Sequence, residues 1–112
     1  MTELKKLTPY QIQKYDINQK IIHELINLES RLVLFSIIKE ARIPADISHK
    51  NKIPLSTVYV KLRSLEELSL VYVENETSED GHKTKYYKSR IRSADISISK
   101  QEPKLILVKN KN

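Results

Sequence analysis

Apolar positions keep a helical spacing along the chain up to about residue 68 and alternate after it. Ile17, Ile21, Ile22, Leu25, Ile26 and Leu28 form a first stripe, with Lys14, Gln19, Lys20 and Glu24 off it. Ahead of them, Thr8-Pro9-Tyr10-Gln11 has the layout of a capping box with proline at the first helical position, so a helix is expected to begin there. Asp16 and Asn18 are weak helix formers and allow a break near them. The phase resets over residues 27–30. Leu32, Val33, Phe35, Ile37 and Ile38 then predict a mostly buried helix from about Glu29 to Arg42, stopped by Ile43-Pro44. Ala45 to Asn51 suits a short helix, with Asp46 in its first turn, where a carboxylate meets the helix dipole, and Ile47 as its one strong apolar anchor.

Pro54 cannot continue a helix from upstream, and Ser56 follows as an N-cap candidate. Val58, Leu62, Leu65 and Leu68 then recur at spacings of four and three, one apolar stripe of a helix expected over 56–69. Thr57, Tyr59, Lys61, Arg63 and Ser64 fall off that stripe. Hydroxyls, a phenol and cations on an exposed helix face suit a DNA groove; they also suit an ordinary soluble surface, and spacing does not separate the two.

Beyond Ser69 the pattern is that of strands. Val71 and Val73 alternate with Tyr72 and Glu74, and Tyr86, Tyr87 and Ile91 lie on a return strand past Asp80-Gly81, the chain's one turn signal of this kind. A two-residue loop at Asp80-Gly81 would set Val71 opposite Arg90. A three-residue loop over 80–82 would set Val71 opposite Ile91, Glu74 opposite Lys88 and Glu79 opposite Lys83. The second register pairs apolar with apolar and acid with base, and is preferred, with Gly81 in the left-handed position. Ile96 and Ile98, a turn candidate at Gln101-Glu102-Pro103, and Leu105 to Val108 predict a second hairpin over 94–108. Residues 1–8 read as a flexible arm and 110–112 as a frayed tail around a single domain over 9–109.

Composition narrows the chemistry. The chain has 112 residues, enough for one domain with its own core. It has no cysteine, which excludes disulfides, zinc fingers and thiol catalysis as intrinsic features and is compatible with a reducing, cytoplasmic setting. No apolar run approaches the roughly 20 residues of a membrane span, and none behind the first lysines suggests a signal peptide. A net charge of +6, from twenty Lys and Arg against fourteen Asp and Glu, favours a polyanionic partner such as nucleic acid.

Helix, short helix, tight turn, helix and a hairpin with a charged tip is the layout of a winged helix-turn-helix. Residues 29–92 resemble small archaeal winged-helix transcriptional regulators of the ArsR-like kind. The match is strongest at Ile53-Pro54-Leu55-Ser56-Thr57-Val58-Tyr59, followed by Lys61-Leu62, Leu65-Glu66 and Leu70-Val71. The fold implied is α+β: a winged helix-turn-helix (helix-turn-helix 29–69, wing 70–92) with an added N-terminal helix and a C-terminal β-hairpin. The resemblance implies double-stranded DNA as partner and a role for each matching position. Ser56 would cap the recognition helix and donate to a phosphate. Thr57, Tyr59 and Lys61 would face the major groove, and Arg63, Lys50 and Lys52 would meet backbone phosphates. Three positions depart from the pattern. Val60 stands where many relatives carry Arg, leaving at most a thymine-methyl contact. Asn51 replaces a usual leucine, and Ser69 replaces a usual glycine in the exit turn.

Lys83, Lys85, Lys88, Arg90 and Arg92 are cations on the expected return strand, facing Glu74, Glu76, Glu79 and Asp80 across the hairpin. Phosphate contacts are expected from Lys83 and Lys85, while Arg90 and Arg92 near the base suit packing. His23, His49 and His82 show no ligand spacing, a single glycine permits no phosphate loop, and no carboxylate pair or triad stands out, so neither a metal, a cofactor nor an enzyme is expected. The apolar stripes of 10–28 and 95–108 exceed what one small domain needs and suggest a homodimer, or packing on each other within one chain. The competing functional reading is a winged-helix protein-interaction module within a transcription or replication assembly.

Overall fold

The computed structural model describes residues 9–111, with side chains from Asp16 onward. Four helices are followed by four strands: α1 (Pro9–Ile26), α2 (Leu28–Phe35), α3 (Pro44–Asn51), α4 (Leu55–Glu67), β1 (Val71–Thr77), β2 (Lys83–Ser89), β3 (Ile91–Ser97) and β4 (Lys104–Lys109). The strands form two antiparallel hairpins, β1–β2 and β3–β4. The architecture is the α+β arrangement expected, with the added N-terminal helix and C-terminal hairpin. The expected arm over 1–8 and the Thr8 cap lie outside the described residues.

The helical stripes make the core. Ile21 and Leu25 of α1, Val33 and Leu34 of α2, Ile47 of α3 and Val58, Leu62 and Leu65 of α4 close on one another, with Ile37, Ile53, Leu70, Val71 and Ile91 sealing the edges. The α1 helix runs unbroken through Asp16 and Asn18. Asn27 then resets the phase by capping α2, its side-chain oxygen accepting from the Ser30 N–H at 2.9 Å.

The second helix is shorter than its apolar density suggested: α2 ends at Phe35, not near Arg42. Beyond it the backbone serves the sheet instead. The Ile37 carbonyl accepts from Ser89 N–H at 2.9 Å, and Arg42 and Tyr87 exchange two bonds at 3.0 and 2.8 Å, adding a third, one-residue rung beside β2. Those donors and acceptors are unavailable to a helix. Pro44 accordingly opens α3 at its first position rather than stopping α2.

Pro54, not Ser56, caps α4. Its φ of −54° and ψ of 140° already give the extended geometry a cap needs, the Val58 N–H bonds the Pro54 carbonyl at 3.0 Å, and no side-chain cap bond is made. Ser56 therefore sits inside the first turn with its side chain exposed. Both α3 and α4 end on a non-glycine residue in the left-handed region, Lys52 (φ 55°) and Ser69 (φ 60°). After each, a buried apolar residue returns a bond to the helix: Ile53 N–H to Ser48 carbonyl at 3.1 Å, Leu70 N–H to Leu65 carbonyl at 2.9 Å. Ser69 thus adopts the glycine-like exit turn, and its substitution for glycine leaves the helix stop intact. Asn51 stays within α3 and donates to the Ile47 carbonyl at 3.0 Å.

The wing register differs from both registers considered. Val71 faces Ser89, Val73 faces Tyr87, Glu74 faces Tyr86 and Thr77 faces Lys83. Ser78 N–H then bonds the His82 carbonyl, and Gly81 N–H the Ser78 carbonyl, both at 2.9 Å, so three residues, 79–81, make the turn. The loop length was right and its position was one residue late. A three-residue loop takes its left-handed residue last, and Gly81 (φ 86°) fills that place. Asp80 is held below its ordinary carboxylate range, first by the Ser78 hydroxyl and then by the His82 N–H. A Cβ at Gly81 would meet no atom within 4 Å. Gly81→Ala is therefore expected to cost about 1–2 kcal/mol through backbone conformation alone, seen as a lower thermal midpoint with faster amide exchange confined to the wing tip.

Ile91 and Arg92 belong to β3, not to the wing strand. The second hairpin is present, running from Ile91 to Lys109. Ala94 and Leu105 pack against the core, so part of this hairpin finds its cover within one chain. The expected tail is not frayed at Asn110. That residue is buried, its amide donating to the carbonyls of Ile38 at 2.8 Å and Ser89 at 2.9 Å, which ties the end of β4 to the α2 exit and to β2.

Candidate nucleic-acid interface

The exposed side of α4 follows from its buried one. Counting about 100° per residue, Val60, Ser56, Arg63 and Glu67 lie nearly opposite Val58, Leu62 and Leu65. All four are exposed, Val60 at 55 %. Tyr59, half exposed, and Glu66 lie toward the wing. Thr57, Lys61 and Ser64 lie on the other flank and are partly covered. Below them Ser64, Glu67 and Leu68 share a cleft with Gln19, Lys20, His23 and Glu24 of α1. The face that sequence spacing assembled from Thr57, Tyr59 and Lys61 is thus two flanks, with Val60 and Ser56 between them.

The observed wing register sorts its charges. Partners in an antiparallel pair share a face and successive residues alternate. Val71, Val73, Asn75 and Thr77 therefore share one face with Ser89, Tyr87, Lys85 and Lys83. Tyr72, Glu74 and Glu76 share the other with Lys88, Tyr86 and Thr84. The near-neutral hairpin is split, with Lys83 and Lys85 on one side and Glu74 and Glu76 on the other. Moreover, the lysine side is the one turned to α4: Val71 and Tyr87, on that same face, pack in and against the core with Val58, Leu62 and Leu65. Burial, then the Glu66 carboxylate and Tyr59 phenol of α4, raise the Tyr87 hydroxyl above its ordinary range, and Tyr87 is on the Lys83–Lys85 face.

The expected acid–base pairs across the wing do not form. Glu74 faces Tyr86, and Glu79 is in the turn rather than opposite Lys83. Among the described residues the ion pair is Arg42–Glu40 at 3.5 Å, and His82 Nε2 lies 3.5 Å from the Asp80 carboxylate. Lys50, Lys52, Lys61, Arg63, Lys83 and Lys85 make none. Arg90 lies over the Tyr72 ring at 5.3 Å, a packing contact at the wing base. Lys50 and Lys52 are exposed on either side of the α3 stop, ahead of the α4 N-terminus.

Two features escaped the sequence. Val60 is central on the outward face, whereas the resemblance marked it only as a departure from the family's pattern, leaving at most a thymine-methyl contact. Lys50 also joins Lys39 and Arg42 around a cleft of about 340 Å³ with Phe35, where Arg42 Nε is buried without a hydrogen-bond partner. Only the bridge to β2 brings residue 42 there. Among the described residues no group of three His, Asp or Glu gathers to hold a metal, and no helix is long and apolar enough to cross a membrane.

No protein-family profile and no curated protein matches the sequence. Solved structures do resemble the fold. The homodimeric winged helix-turn-helix DNA-binding domain of Mb0332 from Mycobacterium bovis, a possible ArsR-family transcriptional regulator, superposes with a TM-score of 0.63 at 17 % identity, over 77 % of this chain and 75 % of that one. NolR from Sinorhizobium fredii gives 0.60 at 22 % identity, over 77 % and 81 %. The fold of the chain, four helices with antiparallel hairpins, is that of a winged helix-turn-helix.

Proposed function

We propose that this protein is a sequence-specific regulator that binds double-stranded DNA, with α4 as the recognition helix and the wing beside it. One observation carries the reading: the wing lysines Lys83 and Lys85 stand on the sheet face turned to α4, apart from the wing's glutamates. A duplex seated on α4 would meet Lys83 and Lys85 on one side and Lys50 and Lys52 on the other. Phosphate contacts from these four supply affinity, with Ser56 and Arg63 adding to them. Thr57, Tyr59 and Lys61 contact base edges from the two flanks. The reading needs no cofactor and no catalysis, and it carries with it the ArsR-like, archaeal type and a cytoplasmic location.

Residues 9–109 act as one domain. A homodimer fits the reading, as in the Mb0332 domain. Exposed Ile17 and Ile26 on α1 and Ile106 and Leu107 on β4 are its contact candidates. Two copies would set their recognition helices ~34 Å apart, one turn of DNA.

Selection of duplexes from a random pool tests the function. Enrichment of a defined site is expected, and Tyr59→Ala with Lys61→Ala should relax that preference by about 1–3 kcal/mol against mismatched sites. A parent protein whose duplex affinity is weak, indifferent to sequence and flat with salt would instead be a protein-docking module.

A further inference from the structure

The surface of α4 that faces away from the core carries valine, not a long polar side chain, at its centre. Val60 is 55 % exposed, and Tyr59, on the flank next to it, is 50 % exposed. Both lie in the first two turns, the part of a recognition helix that reaches base edges. Over the whole of α4 there is no Asn or Gln, the residues that bond adenine in bidentate fashion. Its one Arg, Arg63, comes a turn later, and Lys61 leans to the α1 flank.

Base pairs mark the major groove with donors, acceptors and one apolar group, the 5-methyl of thymine. An aliphatic side chain pressed on a polar base edge leaves that edge dry and unpaired, which opposes binding. Pressed on a methyl it removes apolar surface from water on both sides. We infer that Val60, with Tyr59 on the flank next to it, reads thymine methyl groups, so that each half-site is centred on A·T pairs with a thymine turned to α4. The inference rests on the duplex-binding reading above and names the sequence class that the same face selects.

Replacing thymine by deoxyuridine deletes only that methyl. Duplexes selected by the full-length protein are resynthesised with uracil at each thymine in turn, and their dissociation constants measured. A centre of A·T pairs is expected, with about fourfold weaker binding when one particular thymine loses its methyl. Val60→Ala, which keeps only one methyl group, should show a clearly smaller difference between thymine and uracil duplexes; the exposed position makes the variant safe to fold. A half-site centred on G·C pairs overturns the inference. So do uracil duplexes bound within twofold of the parent at every position, and so does a uracil effect undiminished in Val60→Ala. A pool that yields no enriched sequence, with all duplexes bound alike, overturns the regulator reading itself rather than the choice of base.

Discussion

Leu62→Ala is expected to destabilise the fold by about 2–5 kcal/mol, the cost of removing a core leucine and leaving most of its cavity open. Leu62 is 1 % exposed and lies midway along the buried line of α4, among side chains from α2, α3 and the sheet entry. Domains of this size have only about 5–15 kcal/mol in total, so the loss is a large share. Each kcal/mol moves the midpoint several degrees, and a thermal melt should fall by roughly 10–20 °C. Val60→Ala, two residues away on the exposed side, should stay within about 0.5 kcal/mol of the parent. Equal effects from the two substitutions would mean that α4 is rotated from the orientation described, and the assignment of its outward face would go with it.

That contrast is also the part of the structure most legible in the sequence. Spacings of three and four among Val58, Leu62 and Leu65 fix which side of α4 is buried without any knowledge of its partners, because burial of one stripe is what stabilises such a helix. The order of helices and strands was equally readable. What failed to show was set by distant partners. Apolar residues from Leu32 to Ile38 fit a long helix, but β2, some fifty residues on, takes the backbone of Ile37 and Arg42 for itself. Asn110 looks like a tail residue until two carbonyls, of Ile38 and Ser89, are brought to its amide.

The wing is the instructive failure. Complementary charges favoured a register that the turn did not allow, since the left-handed residue belongs at the last loop position and Gly81 is the chain's one glycine. Backbone conformation outweighed exposed ion pairs, which are worth only about 0–1 kcal/mol each. The slip moved each partner by two residues, and a shift of two keeps every side chain on its face. Hence the cross-strand pairs changed while the faces of Lys83, Lys85, Glu74 and Glu76 did not, and Lys83 lost its expected acidic partner. For the candidate site the same logic holds: the exposed residues of α4 form the expected set, and the central place of Val60 follows from its angle, nearly opposite Val58, Leu62 and Leu65, whereas the matching motif drew attention to Thr57, Tyr59 and Lys61 on the flanks.

Removing the four flanking lysines together should have the largest effect on duplex binding. In Lys50→Ala, Lys52→Ala, Lys83→Ala, Lys85→Ala, each lost phosphate contact releases about 0.9 fewer counterions, so the slope of log affinity against log salt should flatten by about 3–4. Near physiological salt that corresponds to affinity lower by roughly a hundred- to a thousandfold, for specific and random duplexes alike. None of the four side chains is buried or ion-paired among the described residues, so the fold should survive, and an unchanged thermal midpoint is the control. The signature differs from that of Tyr59→Ala with Lys61→Ala, where preference among sequences falls and the salt slope barely moves if only bases are contacted. Should the fourfold variant keep the parent's slope, the lysines do not meet phosphates, and a duplex that binds the protein must do so on another face, such as the Lys39–Arg42–Lys50 cleft beside α3.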